Sequence, residues 1–92
     1  MANAIVTVTI MPESPEIDLE KVLVEAKKVI AEAAGEGETR SSIQPVAFGI
    51  KALKIIFVID EKKGSPDPIA EKIQALEGVN SAEISDVRRA IG

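Results

Sequence analysis

An α+β sandwich, with elements in the order strand, helix, strand, strand, helix, strand, is the fold that this 92-residue sequence predicts. Three observations carry the prediction. Val6, Val8 and Ile10 alternate with Ile5, Thr7 and Thr9, which is the period of a strand with one apolar face. Apolar residues recur at helical spacing through Leu19, Val22, Leu23, Ala26, Val29, Ile30 and Ala33, and a shorter stripe of the same kind runs through Ile69, Ala70, Ile73 and Leu76. Between the two, Leu53 to Ile59 is the one long apolar run rich in β-branched residues, interrupted only by Lys54. It reads as a strand buried on both sides near the middle of a sheet.

Taken in order, the first strand spans Ala4 to Met11, and Pro12 and Pro15 then end it in a stiff loop, MPESPEID. Asp18 is the N-cap candidate for a helix starting at Leu19, whose far side carries Glu20, Lys21, Glu25, Lys28 and Glu32. Gly35 supplies the stop. The polar stretch GEGETRSS leads into a short second strand, Arg40 to Gln44, expected at an edge and closed by Pro45. Phe48 sits between Ala47 and Gly49 on a bend, and the long strand starts close to Lys51, so the two strands form a hairpin. In EKKGSPDP, Ser65 or Asp67 can cap a second helix, with Pro66 or Pro68 at its first position and Gly78 at its end. The last strand begins at Val79 and finishes in DVRRAIG, with the adjacent pair Arg88 and Arg89 close to the terminus.

Two β-α-β crossovers joined by a hairpin make the ferredoxin-like sandwich, a four-stranded antiparallel sheet with both helices on one face. Val6, Val8, Ile10, Leu53, Ile55, Phe57, Ile59, Ala82 and Ile84 are expected beneath the helices. Ile5, Thr7, Thr9, Lys54, Ile56, Val58, Ser81, Glu83 and Ser85 are expected on the open face.

A chain of this length makes one domain and buries roughly 60–70% of its unfolded surface, enough for stability without a metal or disulfide. It has no cysteine and no histidine, which removes thiol chemistry, disulfides and most zinc sites, and no cofactor is expected. The apolar runs are too short to cross a bilayer and residues 1–11 lack a basic leader, so a soluble cytoplasmic protein is expected. A net charge of −4 argues against a general grip on nucleic acid. The open face lacks the stacking aromatics of an RNA-binding sheet. No nucleophile stands beside a base and no glycine-rich phosphate loop is present, so an enzyme is disfavoured by subtraction. The features left over are an aromatic on a bend, a proline-rich loop and a terminal arginine pair, which suit protein recognition.

Three segments carry a family resemblance. MPESPEIDL after the first strand, PVAFGIKALKI at the hairpin and LEGVNSAEISDVRR at the end together resemble the archaeal form of the elongation factor 1-beta family. The likeness covers nearly the whole chain, and its most specific part is Pro45, Val46, Ala47, Phe48, Gly49, Ile50 and Lys51. It implies a single guanine-nucleotide exchange domain of ferredoxin-like fold, acting on the translation GTPase elongation factor 1-alpha. It further implies that an aromatic of the hairpin loop and a basic residue near the C-terminus enter the partner near its Mg²⁺ and phosphate site. Those positions match Phe48 and Arg89, with Arg88 the alternative one residue away. The eukaryotic pattern has lysine at that place, and an arginine is a planar fork where a lysine is a point charge.

Plainer readings stand beside these. Phe48 can plug the end of the sheet, Arg88 and Arg89 can be a solvated terminus, Lys51 and Lys54 can solubilise an edge, and Pro12 and Pro15 can simply shape a turn. From a different class, a small-molecule-sensing domain of the same fold would be an obligate dimer, whereas the exchange reading expects a monomer that joins a GTPase.

Overall fold

Alternation, helical spacing and turn chemistry all act locally, and the sheet registers show how they combine. A computed structural model describes residues 3–34, 39–47, 49–60 and 66–90. The elements are β1 (Asn3–Pro12), α1 (Leu19–Ala34), β2 (Thr39–Ala47), β3 (Ile50–Asp60), α2 (Asp67–Gln74) and β4 (Val79–Ala90). The strands form one sheet in the order β2-β3-β1-β4, and every pairing is antiparallel. This is the ferredoxin-like α+β sandwich expected from the element order.

One face of that sheet and one stripe of each helix make the core. Val6, Val8 and Ile10 of β1, Leu53, Ile55, Phe57 and Ile59 of β3, and Ala82 of β4 are buried against Val22, Ala26 and Ile30 of α1 and Ile69 and Ile73 of α2. Ile84 is half-buried and packs on the same cluster, so all nine residues expected beneath the helices are there. Each large side chain so buried contributes roughly 1.5–3 kcal/mol. At the start of α1, the Glu20 amide donates to Asp18 Oδ1 at 3.0 Å and the Val22 amide to the Asp18 carbonyl at 3.3 Å, which is the cap the sequence predicts. Gly35 lies outside the described residues.

Four expectations are corrected. β3 is central but not buried on both sides: Ile56 and Val58 are 39% and 44% exposed on the open face, because both helices lie on the other face. β2 does not stop at Gln44. It runs on through Pro45 to Ala47, with Pro45 opposite Lys51 and a register shift between Pro45 and Ala47, since an edge strand has one unpaired side and tolerates a residue without an N–H. In α2 the cap position is Pro66, which makes no side-chain cap bond. Its carbonyl instead accepts from the Ile69 and Ala70 amides, Asp67 is the first helical residue, and Pro68 follows in the first turn. Ser65 lies outside the described residues. Finally α2 ends at Gln74, before Gly78; that glycine, at φ +86°, instead closes the turn into β4.

The last strand begins at Val79 and finishes within DVRRAIG, as expected. DVRRA continues β4 alongside β1 as far as Ala90 opposite Asn3. A bulge interrupts this ladder: Val8 faces Ile84 and Thr7 faces Asp86, so Ser85 is the extra residue. As an edge strand β4 also has outward-facing amides, and one of them, on Ala82, donates to Gln74 Oε1 of α2 at 3.4 Å.

Candidate functional site

The residues singled out by sequence fall into two groups at opposite ends of the sheet. At one end the β2-β3 hairpin carries Pro45, Gly49 and Lys51. Pro45 and Lys51 face each other across the ladder, and Ala47 and Ile50 form its last pair. Gly49 follows in the left-handed region at φ +77°, a conformation that glycine adopts without the clash an L side chain meets there. Phe48, the central candidate, lies outside the described residues.

Lys51 is exposed, and beside it opens a shallow cleft between the hairpin and the loop that joins β1 to α1. Gly49, Lys51 and Ile43 line the hairpin side, and Pro12, Ser14, Pro15, Ile17, Asp18, Leu19 and Glu20 line the other. Ile43 is 52% exposed although it pairs with the buried Leu53, because the helices do not reach over the edge strand. Sequence reasoning missed Ile43 as a site residue. The signal that marks it is an isoleucine among the polar residues of TRSSIQ, at the parity of the core face.

At the other end stand the arginines. Arg88 faces Ile5 and Arg89 faces Ala4, so the pair is held in the β1 ladder and their side chains leave opposite faces of the sheet. Arg88 is on the open face, where its Nε donates to Asp86 Oδ2 at 2.8 Å. Both partners are exposed, so this pair is worth only ~0.2–1 kcal/mol, yet it neutralises much of the charge Arg88 offers. Arg89 lies on the helix side, beyond the buried row that ends with Ala4, and is exposed.

The two groups are far apart. Arg89 pairs with Ala4, and Ala4 pairs with Ile59, ten residues along β3 from Gly49. At ~3.3 Å per strand residue the separation is about 30 Å, in keeping with a longest molecular dimension of 42 Å. The structure therefore brings Pro45, Gly49 and Lys51 together and Arg88 and Arg89 together, but not the one group with the other.

Among the described residues no polar or charged residue is buried, no three acidic or metal-ligating side chains gather to hold an ion, and no helix is long and apolar enough to cross a membrane. What the molecule presents is an antiparallel sheet with a proline- and glycine-bearing hairpin at one end and an arginine pair at the other, on a ferredoxin-like α+β sandwich.

Comparison with known proteins narrows that class to one family. The chain belongs to the EF-1 guanine nucleotide exchange domain family, which matches residues 5–90. It is similar to elongation factor 1-beta of Methanothermobacter thermautotrophicus, at 37% identity over 97% of this chain and 98% of the relative. Elongation factor 1-beta of Methanosphaera stadtmanae is likewise 37% identical, over 97% of this chain and 98% of its own. The protein of the same name from Methanococcoides burtonii is 33% identical over 99% of this chain and all of its own. The family's description gives the chain a guanine-nucleotide-exchange role in elongation.

Proposed function

We propose that this chain promotes replacement of GDP by GTP on elongation factor 1-alpha, with its two ends doing different work on one partner. The observation that carries this reading is the separation of about 30 Å between the hairpin end and the arginine end, worked out from the strand registers at ~3.3 Å per residue. A bound nucleotide with its Mg²⁺ is far smaller than that distance. One end therefore acts at the phosphate site while the other holds a different part of the GTPase surface, in place of the expectation that both residues enter beside the Mg²⁺.

The arginine end is assigned to the phosphate site because charge is what weakens Mg²⁺ and phosphate coordination. Of the two arginines, Arg89 is assigned the role. It is the position that the family resemblance matches, and it leaves the helix side of the sheet whereas Arg88 leaves the open face. The hairpin end, with Phe48 and the cleft beside Lys51 and Ile43, is assigned the docking role, where apolar burial supplies affinity. The reaction needs no covalent step from this chain. An exchange factor works by binding the empty GTPase more tightly than the loaded one, and linkage makes the effect mutual. Accelerating release a thousandfold needs on the order of 4 kcal/mol. One buried Phe is worth roughly 1.5–3 kcal/mol and one charge-assisted hydrogen bond about as much, so the two ends suffice.

The test is release of a fluorescent GDP from elongation factor 1-alpha across a Mg²⁺ titration. Arg89→Ala is expected to slow release ten- to a hundredfold in millimolar Mg²⁺, a loss of roughly 1.4–2.8 kcal/mol, and to matter little once the metal is chelated. Arg88→Ala is expected to do less. Equal slowing with and without Mg²⁺ would reduce Arg89 to a docking contact, and no acceleration by the unmodified chain would sink the function.

A further inference from the structure

The bulge in β4 decides which arginine reaches which face, and we propose that Ser85 is the positioning residue that holds it there. This inference rests on the role given above to the terminal arginines. Two adjacent residues of a strand point to opposite faces, so a shift of one position exchanges their roles. With Ser85 as the extra residue, Thr7 faces Asp86, Val6 faces Val87, Ile5 faces Arg88 and Ala4 faces Arg89. Without a bulge the same chain would place Ser85 opposite Thr7, Val87 opposite Ile5 and Arg88 opposite Ala4. Arg89 would then stand on the open face.

A bulge leaves one residue outside the ladder and so has to be stabilised by something else. Here the Ser85 hydroxyl provides it. Thr9 Oγ1 donates to Ser85 Oγ at 2.9 Å, and Ser85 Oγ donates in turn to the Thr7 carbonyl at 3.2 Å. The hydroxyl uses its donor and an acceptor on the strand opposite, one on each side of the register shift. The facing residues push the same way. In the unbulged register the charged Asp86 would take the place opposite Val6 on the helix side, whereas in the bulged one Val87 stands there, half exposed, and Asp86 stays on the open face beside Arg88. Ser85 acts on the two arginines through the count of residues in the strand.

A point substitution and a deletion at this position should therefore have opposite effects. Ser85→Val removes the hydroxyl and favours regular pairing, so the cross-strand nuclear Overhauser contacts of Ile5 should move from Arg88 to Val87, and GDP release should slow about tenfold. Thr9→Val, which leaves β4 untouched, should move them in the same direction. Deleting Ser85 outright removes the extra residue and restores regular pairing with Arg88 still opposite Ile5, so register and release should stay within about twofold of the unmodified chain. The proposal is overturned if Ile5 keeps its contact with Arg88 in both point variants, or if the deletion loses that contact. A register that moves as expected with no change in GDP release overturns the exchange role of the arginines and Ser85's part in it, and leaves the structural assignment standing.

Discussion

Replacing Gly78 by alanine separates backbone strain from steric contact at the junction that seats β4. Gly78 has φ +86°, and its carbonyl accepts the Glu13 amide at 2.9 Å, tying the β1-α1 loop to the start of β4. An L residue in that left-handed conformation costs ~1–2 kcal/mol. A Cβ there would also stand 3.1 Å from Ile17 Cγ2 and 3.3 Å from Ile17 Cδ1. Ile17 is β-branched and packs on the core, so moving it out of its rotamer adds about 1 kcal/mol. The stiffer unfolded chain returns ~0.4–1 kcal/mol, leaving a net loss of about 2 kcal/mol. In a chain of this size that lowers Tm by roughly 8–16 °C. Urea and thermal unfolding measure the loss, and the m-value should be unchanged. Gly49→Ala is the control: its φ is +77°, but no atom lies within 4 Å of the added Cβ, so only the conformational part applies. A double-mutant cycle with Ile17→Ala should recover about 1 kcal/mol at Gly78. If Gly78→Ala costs no more than Gly49→Ala and the cycle shows no coupling, the packing of Ile17 on this turn is not what limits residue 78 to glycine.

Two further substitutions divide core from site. Phe57 is 1% exposed in β3, and Phe57→Ala should cost ~3–5 kcal/mol in unfolding; a loss of about 0.5 kcal/mol or less, what an exposed side chain costs, would contradict the packing of β3 beneath α1. Phe48→Ala should change stability by less than about 1 kcal/mol yet slow GDP release at least tenfold. A large loss of stability with unimpaired release would make Phe48 a packing residue.

Much of the fold was legible because the alternation in β1 and the spacing in α1 are both long enough to be unambiguous, and their facings agree with the burial of every residue they assign to the core. Short-range signals misled where tertiary context decides. The run Leu53 to Ile59 has a composition that suits burial on both faces, yet Ile56 and Val58 stand beside Ile5 on the open side, where β-branched residues suit a pleated surface. DVRRA has no apolar alternation to mark it as strand, and only pairing with β1 makes it one. The same holds for Pro45, where the edge position of β2 outweighs the missing donor. The bulge at Ser85 shows in the amino-acid order only as a one-residue slip in the alternation, from Ala82 and Ile84 to Val87. The opposite placement of hairpin and arginines, by contrast, follows from topology alone: β3 and β4 both start where β1 ends, so the end of β4 lies far from the start of β3.

That placement has a consequence for how a complex comes apart. A partner gripped at both ends of one sheet is held bivalently: once one end is seated, the other meets its target at a high effective concentration, of millimolar order or above. Each contact can then be weak and short-lived while the pair is durable. On the roles proposed above for the two ends, dissociation becomes stepwise: the arginine end lifts and returns while the hairpin stays docked, so that a nucleotide can enter the vacated phosphate site before the factor departs. The span is set by the number of paired residues in β1, β3 and β4, and removing two residues from each strand would shorten it by roughly 7 Å without touching either end.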